Sequence, residues 1–329
     1  MLSALCCWSC AVSDSTDSTQ MSKTYFESWI QLHYPGISPT PLGSYIIEDK
    51  EGSGELVGNS VNAPYVYGRY ILRDLDGTIQ DYTDESVAKQ LGLYDSTCYY
   101  GPKVWLRKDS TMTAGVDEIV STMRVGGHRK AVVPGWLNTQ IRYKDKDQYL
   151  ANVTGESSIY EIRIVEIIKD VIAWQADSMK KFVDARFKDR DTTSFGYYYI
   201  QTCPPADTAS WAVDDEVYFN YTGRLLNGKV FDTTIADTAK VYGLYNADIT
   251  YSPSYMTWAE KESDLKMNGQ SATITGFSKA IFGMRTGEKG IAVFNADLGY
   301  GSIGSGLQIP PYSPLVFEIE MIGKTDGDE

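Results

Sequence analysis

The chain has 329 residues, with 30 basic and 43 acidic side chains and a net charge of −13. At roughly 150 residues per domain this length predicts two domains, and the acidic balance excludes phosphate-backbone recognition, which needs basic surface. No apolar run approaches the roughly 20 residues of a membrane-spanning helix; the 24 tyrosines, against 10 Phe and 7 Trp, point to strands and amphipathic aromatic surfaces.

Three of the five cysteines, Cys6, Cys7 and Cys10, lie in an uncharged, mostly apolar stretch over residues 1–12. Residues 13–20 are Ser, Asp, Thr and Gln throughout and predict a disordered linker. The stretch resembles the tail of a secretory signal that ends at a bacterial lipoprotein cleavage site, with Cys10, after the small Ser9, as the lipid-modified cysteine. A basic n-region is missing and Cys7 stands where Leu is usual, so a fortuitous apolar start stays open. A metal site is disfavoured because His33 and His128 are the only histidines. Cys98 and Cys203 fall one in each half, and sequence leaves their pairing open.

Phe26, Trp29, Ile30 and His33 recur at helical spacing, so an amphipathic helix is predicted from residue 22 to the Pro35-Gly36 break. Residues 42–47 then read as a strand. The same order returns at mid-chain. Met179, Phe182, Val183 and Phe187 mark a helix over 176–186, followed by a strand over 195–200. Residues 65–77 match residues 216–228, and both runs end in a turn dipeptide, Asp76-Gly77 or Asn227-Gly228. Asp81 then corresponds to Asp232, and Met123-Arg124 to Met284-Arg285. Strands over 159–165 and 315–321 close the two halves. The chain therefore reads as a duplicated unit of helix, antiparallel β-unit, short helix and closing strands. The small basic spots Arg129-Lys130 and residues 144–146 read as solvated surface.

Three blocks in the second half carry a resemblance. The first runs from Val217 through Tyr221-Thr222-Gly223 to Phe231-Asp232. The second is Ile274-Thr275-Gly276-Phe277, leading to Gly283-Met284-Arg285. The third is Leu298-Gly299-Tyr300-Gly301, then Ile309-Pro310-Pro311 and Leu315-Val316-Phe317. In this order they resemble the FKBP-type peptidyl-prolyl cis-trans isomerases, over roughly a third of the chain. The implied fold is α+β: two tandem FKBP-like domains, each an antiparallel sheet wrapped around a short helix and preceded by an N-terminal helix. The expected division is residues 1–21 for the signal and linker, 22–170 for a degenerate domain, and 171–329 for a domain with a retained pocket and an insertion at about 236–270.

Carried over position by position, the resemblance implies a pocket of Tyr221, Phe231, Asp232, Ile274, Phe277, Tyr300, Ile309 and Phe317. An apolar pocket that excludes water would favour the twisted amide of an X-Pro bond, with the Ile274 amide and the Tyr300 hydroxyl fixing the chain. No cofactor is expected. The expected partners are proline-containing clients and the macrolide-type ligands of the family, with no nucleic acid, and with membrane contact through the lipid anchor only. That places the protein as an exported lipoprotein of the bacterial envelope, in the outer membrane or periplasm. A non-catalytic peptide- or ligand-binding chaperone lipoprotein is the alternative. Phe277 replaces the family's usual Trp, and Thr273 a usual Val. Taken alone, Tyr221, Phe231 and Phe317 read more readily as strand core than as a site, and Asp232 as a turn brace. In the first half Gln80 stands for Phe231, Val116 for Phe277, and the Tyr300 block is absent, so that copy is expected to keep the scaffold without the pocket.

The insertion is expected to be either a flap beside the pocket or a plain surface loop, with a helix-like piece over 259–266. It is rich in aromatics, Tyr242, Tyr245, Tyr251, Tyr255 and Trp258.

Overall fold

The computed structural model describes residues 15–107, 112–153, 155–187, 196–270 and 273–324, with side chains from Gln20 onward. The chain forms two compact units. One takes the residues up to Tyr82 and Trp105–Ile167; the other takes Thr83–Val104 and the chain from Ile168 onward. Cys10 and most of the expected signal segment lie outside the described residues.

In the first unit, α1 (Ser15–His33) leads into β1 (Tyr45–Lys50), β2 (Tyr65–Asp74) and β3 (Ile79–Tyr82). α2 (Glu85–Gln90) lies within the 83–104 segment. β4 (Lys103–Leu106), α3 (Ala114–Ser121), β5 (His128–Val133), α4 (Lys146–Ala151) and β6 (Ser158–Ile168) follow. The sheet runs β1-β5-β6-β2-β3, and β4 also pairs with β2. The second unit repeats this. α5 (Val171–Arg186) precedes β7 (Tyr197–Cys203), β8 (Glu216–Leu225) and β9 (Val230–Thr233); then come α6 (Ala236–Val241), β10 (Ser254–Thr257), β11 (Lys266–Met267), α7 (Thr275–Gly283), β12 (Lys289–Phe294) and β13 (Leu315–Lys324). Its sheet runs β7-β12-β13-β8-β10-β11, with β9 also on β8. The two sheet orders superimpose strand for strand with β11 the addition, and among the described residues α4 has no helical counterpart in the second unit.

Each sheet curls around its short helix because alternate strand residues are apolar and must bury against it. α3 presents Val116, Ile119 and Val120 to Ala131, Val133 and Ile162; α7 presents Phe277, Ala280 and Ile281 to Phe294, Phe317 and Ile319. The second residue of each helix is glycine for a packing reason. A Cβ on Gly115 would stand 2.2 Å from Val133, and one on Gly276 would stand 2.4 Å from the Phe294 ring. Helix and sheet touch there, and only a missing side chain allows it.

α1 seats Phe26 and Ile30 in the first core, while His33 stays exposed and donates from Nδ1 to the Trp29 carbonyl at 2.9 Å. This helix begins at Ser15, within the stretch predicted to be a disordered linker. Neither Pro nor Gly occurs between Ser15 and His33, so the buried C-terminal half propagates the helix backwards. Each Ser, Thr or Asp costs only about 0.7 kcal/mol or less. α5 is capped by Asp170, whose carboxylate accepts from the Ile172 and Ala173 amides at 2.9 and 3.0 Å. Its Met179 and Val183 bury against Val293 and Val316 on the outer face of the second sheet.

Two further differences from the sequence reading have local causes. Arg129 is 4% exposed rather than solvated: it forks onto Asp49 at 2.6 and 3.1 Å and donates to the Ile119 carbonyl, tying α3 to β1. Residues 259–266 form no helix. Leu265 is drawn into the core, leaving only a 3₁₀ turn at Glu262–Asp264 before β11. The 236–270 insertion is structured rather than a bare loop. β10 extends the sheet beside β8, and Trp258 stacks on Phe282 with centroids 5.4 Å apart. Its aromatic ring thus supports the back of α7 and makes no ring contact with Phe277. Cys98 and Cys203 are free thiols.

Candidate functional site

The second sheet and α7 converge a set of rings. Tyr221 faces inward from β8, Phe317 faces inward from β13, and Phe277 rises from the first turn of α7. Ring centroids lie 6.0 Å apart for Tyr221–Phe317, 5.3 Å for Tyr221–Phe277 and 4.8 Å for Phe277–Phe317. Phe231 joins edge-on to Phe317 at 5.7 Å. Tilted and edge-to-face pairs of this kind are favoured by the ring quadrupole.

Phe231 reaches this set through a bulge. β8 and β9 pair Gly223 with Asp232 and Arg224 with Val230, so Phe231 is the extra residue between two register partners. Its ring lies over Gly223, where a Cβ would come within 2.5 Å of Phe231 and 3.1 Å of Phe317. Gly223, Phe219 and Phe294 were not among the sequence-derived site residues. Phe219 lies 5.7 Å from Phe277 and Phe294 5.7 Å from Phe317, and together they back the inner rings. A glycine inside a strand, as in Tyr221-Thr222-Gly223, was the available signal for a close approach.

Asp232 stands at the exposed edge of this set and accepts the Tyr221 hydroxyl at 2.5 Å. Burial first, then the Asp232 charge, pushes the Tyr221 hydroxyl well above the ordinary tyrosine range. Tyr300 is 37% exposed, follows a 3₁₀ turn and is flanked by glycines; Gly301 has φ +61°. Burial and the nearby Asp232 charge also raise its hydroxyl. The loop after it closes on itself through Ser305–Ile309 backbone bonds of 2.8 and 3.0 Å, seating Ile309 in the apolar cluster at 4% exposure. Ile274 packs on that cluster and caps α7, its carbonyl accepting from the Phe277 and Ser278 amides. Among the described residues nothing accepts from the Ile274 amide. All eight sequence-derived positions therefore gather around one apolar set with a polar edge.

The rim of this set carries one more segment of the same unit. The Tyr99 amide donates to the Leu307 carbonyl at 2.7 Å, and the Ser96 hydroxyl donates to the Gly243 carbonyl at 2.6 Å. Lys229, in the hairpin before Phe231, donates to the Ser96 carbonyl.

Residues 208–322 match the family model of the FKBP-type peptidyl-prolyl cis-trans isomerases. FK506-binding protein 2 of Dictyostelium discoideum is 30% identical over 136 residues, which cover 41% of this chain and 83% of that protein. The chain belongs to the FKBP-type peptidyl-prolyl cis-trans isomerase family. The macrophage infectivity potentiator of Trypanosoma cruzi is 34% identical over 116 residues, 35% of this chain and 46% of its own length. The peptidyl-prolyl cis-trans isomerase Mip of Chlamydia muridarum is 34% identical over 109 residues, 33% of each chain. The chain thus spans a third to just under half of these two relatives.

The first unit lies outside the residues matched to the FKBP model. Its register nonetheless places Tyr70 as Tyr221, Leu72 as Gly223, Asp81 as Asp232 and Tyr160 as Phe317. Gln80 takes the Phe231 bulge and turns away to donate to Asp74 at 2.9 Å. A cavity of about 180 Å³ lies at the equivalent place, lined by Tyr70, Trp105, Val116 and Tyr160 among others, a lining different from the second unit's ring set. Trp105 on β4, 5.1 Å from Tyr70, supplies a ring that Gln80 and Val116 do not.

Proposed function

We propose that the second unit is a peptidyl-prolyl cis-trans isomerase that acts on X-Pro bonds of extracytoplasmic polypeptides. The observation that carries this reading is the ring set of Tyr221, Phe231, Phe277 and Phe317 with the Tyr221–Asp232 bond at its edge. A proline ring enters an apolar aromatic site readily, because it has no charge and no N–H to desolvate.

The barrier to be crossed is ~18–20 kcal/mol and comes from amide resonance. Water hydrogen-bonded to the carbonyl stabilises the charge-separated resonance form. Excluding that water lowers the cost of the twisted state, in which the amide has lost its charge separation. The Tyr300 hydroxyl and the Ile274 amide are the donors placed to hold the flanking chain, with Ile309 closing one side. No bond is broken, so no nucleophile or acid–base pair is needed. Macrolide-type ligands of the family are expected to compete for the same rings.

A protease-coupled assay on a proline-containing tetrapeptide with the full chain tests this. Acceleration is expected. A rate equal to the uncatalysed one, with no competition by such a macrolide, would remove the isomerase reading.

One observation favours the alternative of a non-catalytic peptide- or ligand-binding protein of the envelope: residues 96–99 rest on both Leu307 and Gly243 at the rim. Binding of a proline peptide with no rate acceleration would support it. The proposal also includes export and a lipid anchor at Cys10, supported by the sequence of residues 1–20 alone. Incorporation of a labelled fatty acid that disappears in Cys10→Ser is the expected result; unchanged labelling would remove the assignment.

A further inference from the structure

The first unit's cavity differs in chemistry from the ring set of the second. Three aromatic side chains wall it, Tyr70, Trp105 and Tyr160, with Val116 beneath. Where the second unit has the apolar Phe317, this one has Tyr160 and so adds a hydroxyl. Asp81 stands at the exposed edge, accepting from the Tyr70 hydroxyl and, at 2.7 Å, from the Tyr82 amide. Among the described residues no Lys, Arg or His pairs with Asp81. Thr113, at the start of α3, buries its Oγ1 with no hydrogen bond of normal geometry. Tyr160 lines the same cavity as both, and its hydroxyl is within reach of a weak hydrogen bond with Thr113.

A buried hydroxyl held only loosely by its neighbour, and a carboxylate beside three rings with two hydrogen-bond donors but no cation, are both electrostatically incomplete. Both are relieved by one kind of guest. An ammonium group carries three N–H donors, and Asp81, Thr113 and Tyr160 offer three oxygen acceptors around one small space. Aromatic faces attract a cation by their quadrupole. The chain's charge of −13 further enriches cationic segments near its surface.

We propose that this cavity binds the ammonium end of a lysine side chain in an extended polypeptide. The rings sheath the aliphatic stem and the head, and Asp81 balances the charge. A proline ring has no donor for Thr113 and no charge for Asp81, so this pocket is selective for a different side chain from the second unit's. The inference stands independently of catalysis there.

The test is calorimetric titration of the full chain with acetyl-Gly-Gly-Lys-Gly-Gly-amide and with the same peptide carrying norleucine in place of lysine. The lysine peptide is expected to bind at least about tenfold more tightly, and the difference is expected to shrink with added salt. Asp81→Asn, which keeps shape and the Tyr82 amide bond while the Tyr70 hydroxyl turns from donor to acceptor, and Tyr160→Phe are each expected to lose several-fold of the lysine affinity while circular dichroism stays unchanged. Equal affinity for norleucine, an unchanged Asp81→Asn variant, or preference for a proline peptide that Asp81→Asn alters would each overturn the proposal.

Discussion

Tyr221 donates its hydroxyl hydrogen to Asp232 across 2.5 Å, and Tyr70 makes the same bond to Asp81 at the matching place in the first unit. The pair survives in both units although the rings around it differ, so its first role is structural. It ties the strand that carries the tyrosine to the hairpin strand beside it.

Removing that donor has a definite cost. Tyr221→Phe keeps the ring but removes the hydroxyl that donates to Asp232 at the exposed edge. A hydrogen bond to a charged group contributes ~1.5–3 kcal/mol. The second unit's unfolding transition in urea is expected to move to lower concentration by a corresponding amount, with the native circular dichroism spectrum retained.

Gly223 sets the shape of the ring set. Gly223→Ala places a methyl against Phe231 and Phe317, and overpacking of this kind costs ~1–3 kcal/mol. Phe231 is expected to swing off the strand, lowering X-Pro turnover by about tenfold or more while the chain still folds. Peptide kinetics and the ring-proton NMR spectrum report this together.

Among the described residues, Arg107 is the more deeply buried of the first unit's two buried arginines, at 1% exposure against 4% for Arg129. Its guanidinium bonds Asp117 at 2.7 Å, the Gly58 carbonyl at 2.8 Å, the Ser121 hydroxyl at 2.8 Å and the Ala63 carbonyl at 3.3 Å. Arg107→Met leaves those acceptors unpaired, and breaking a buried pair from one side costs ~3–5 kcal/mol. Denaturant unfolding of the first unit is expected to shift by that amount.

Alkaline stability follows from the tyrosines. Burial raises Tyr70, Tyr197, Tyr199 and Tyr221 above the ordinary 10.0, reinforced at Tyr70, Tyr199 and Tyr221 by a neighbouring carboxylate. Folding therefore favours their protonated form. That contribution is fully present below pH 10.0 and is lost as pH rises above it. Tyrosinate absorbance and circular dichroism are expected to change together above pH 10.0, with stability flat on this account below it.

The duplicated order of elements was legible because it rests on local signals: alternating apolar residues, and turn dipeptides such as Asn227-Gly228. The gathering of Tyr221, Phe231, Ile274, Phe277, Tyr300, Ile309 and Phe317 was legible only through family resemblance. Their meeting depends on strand register and on a one-residue bulge that no local pattern announces. Arg129 was misread as surface because its partner Asp49 lies 80 residues away. Trp105 was overlooked because it enters the first unit's cavity from β4, a strand outside the matched blocks.

The account turns on whether the second unit's rings accelerate X-Pro isomerisation. The most direct measurement is exchange NMR on a proline peptide, reading cis–trans interconversion with the full chain and with Phe231→Ala. Uncatalysed exchange takes tens to hundreds of seconds. The account predicts clear acceleration by the native chain and at least about tenfold less by a folded Phe231→Ala, the equivalent of ~1.4 kcal/mol or more of transition-state stabilisation. No acceleration by the native chain, or equal acceleration by the variant, would contradict it.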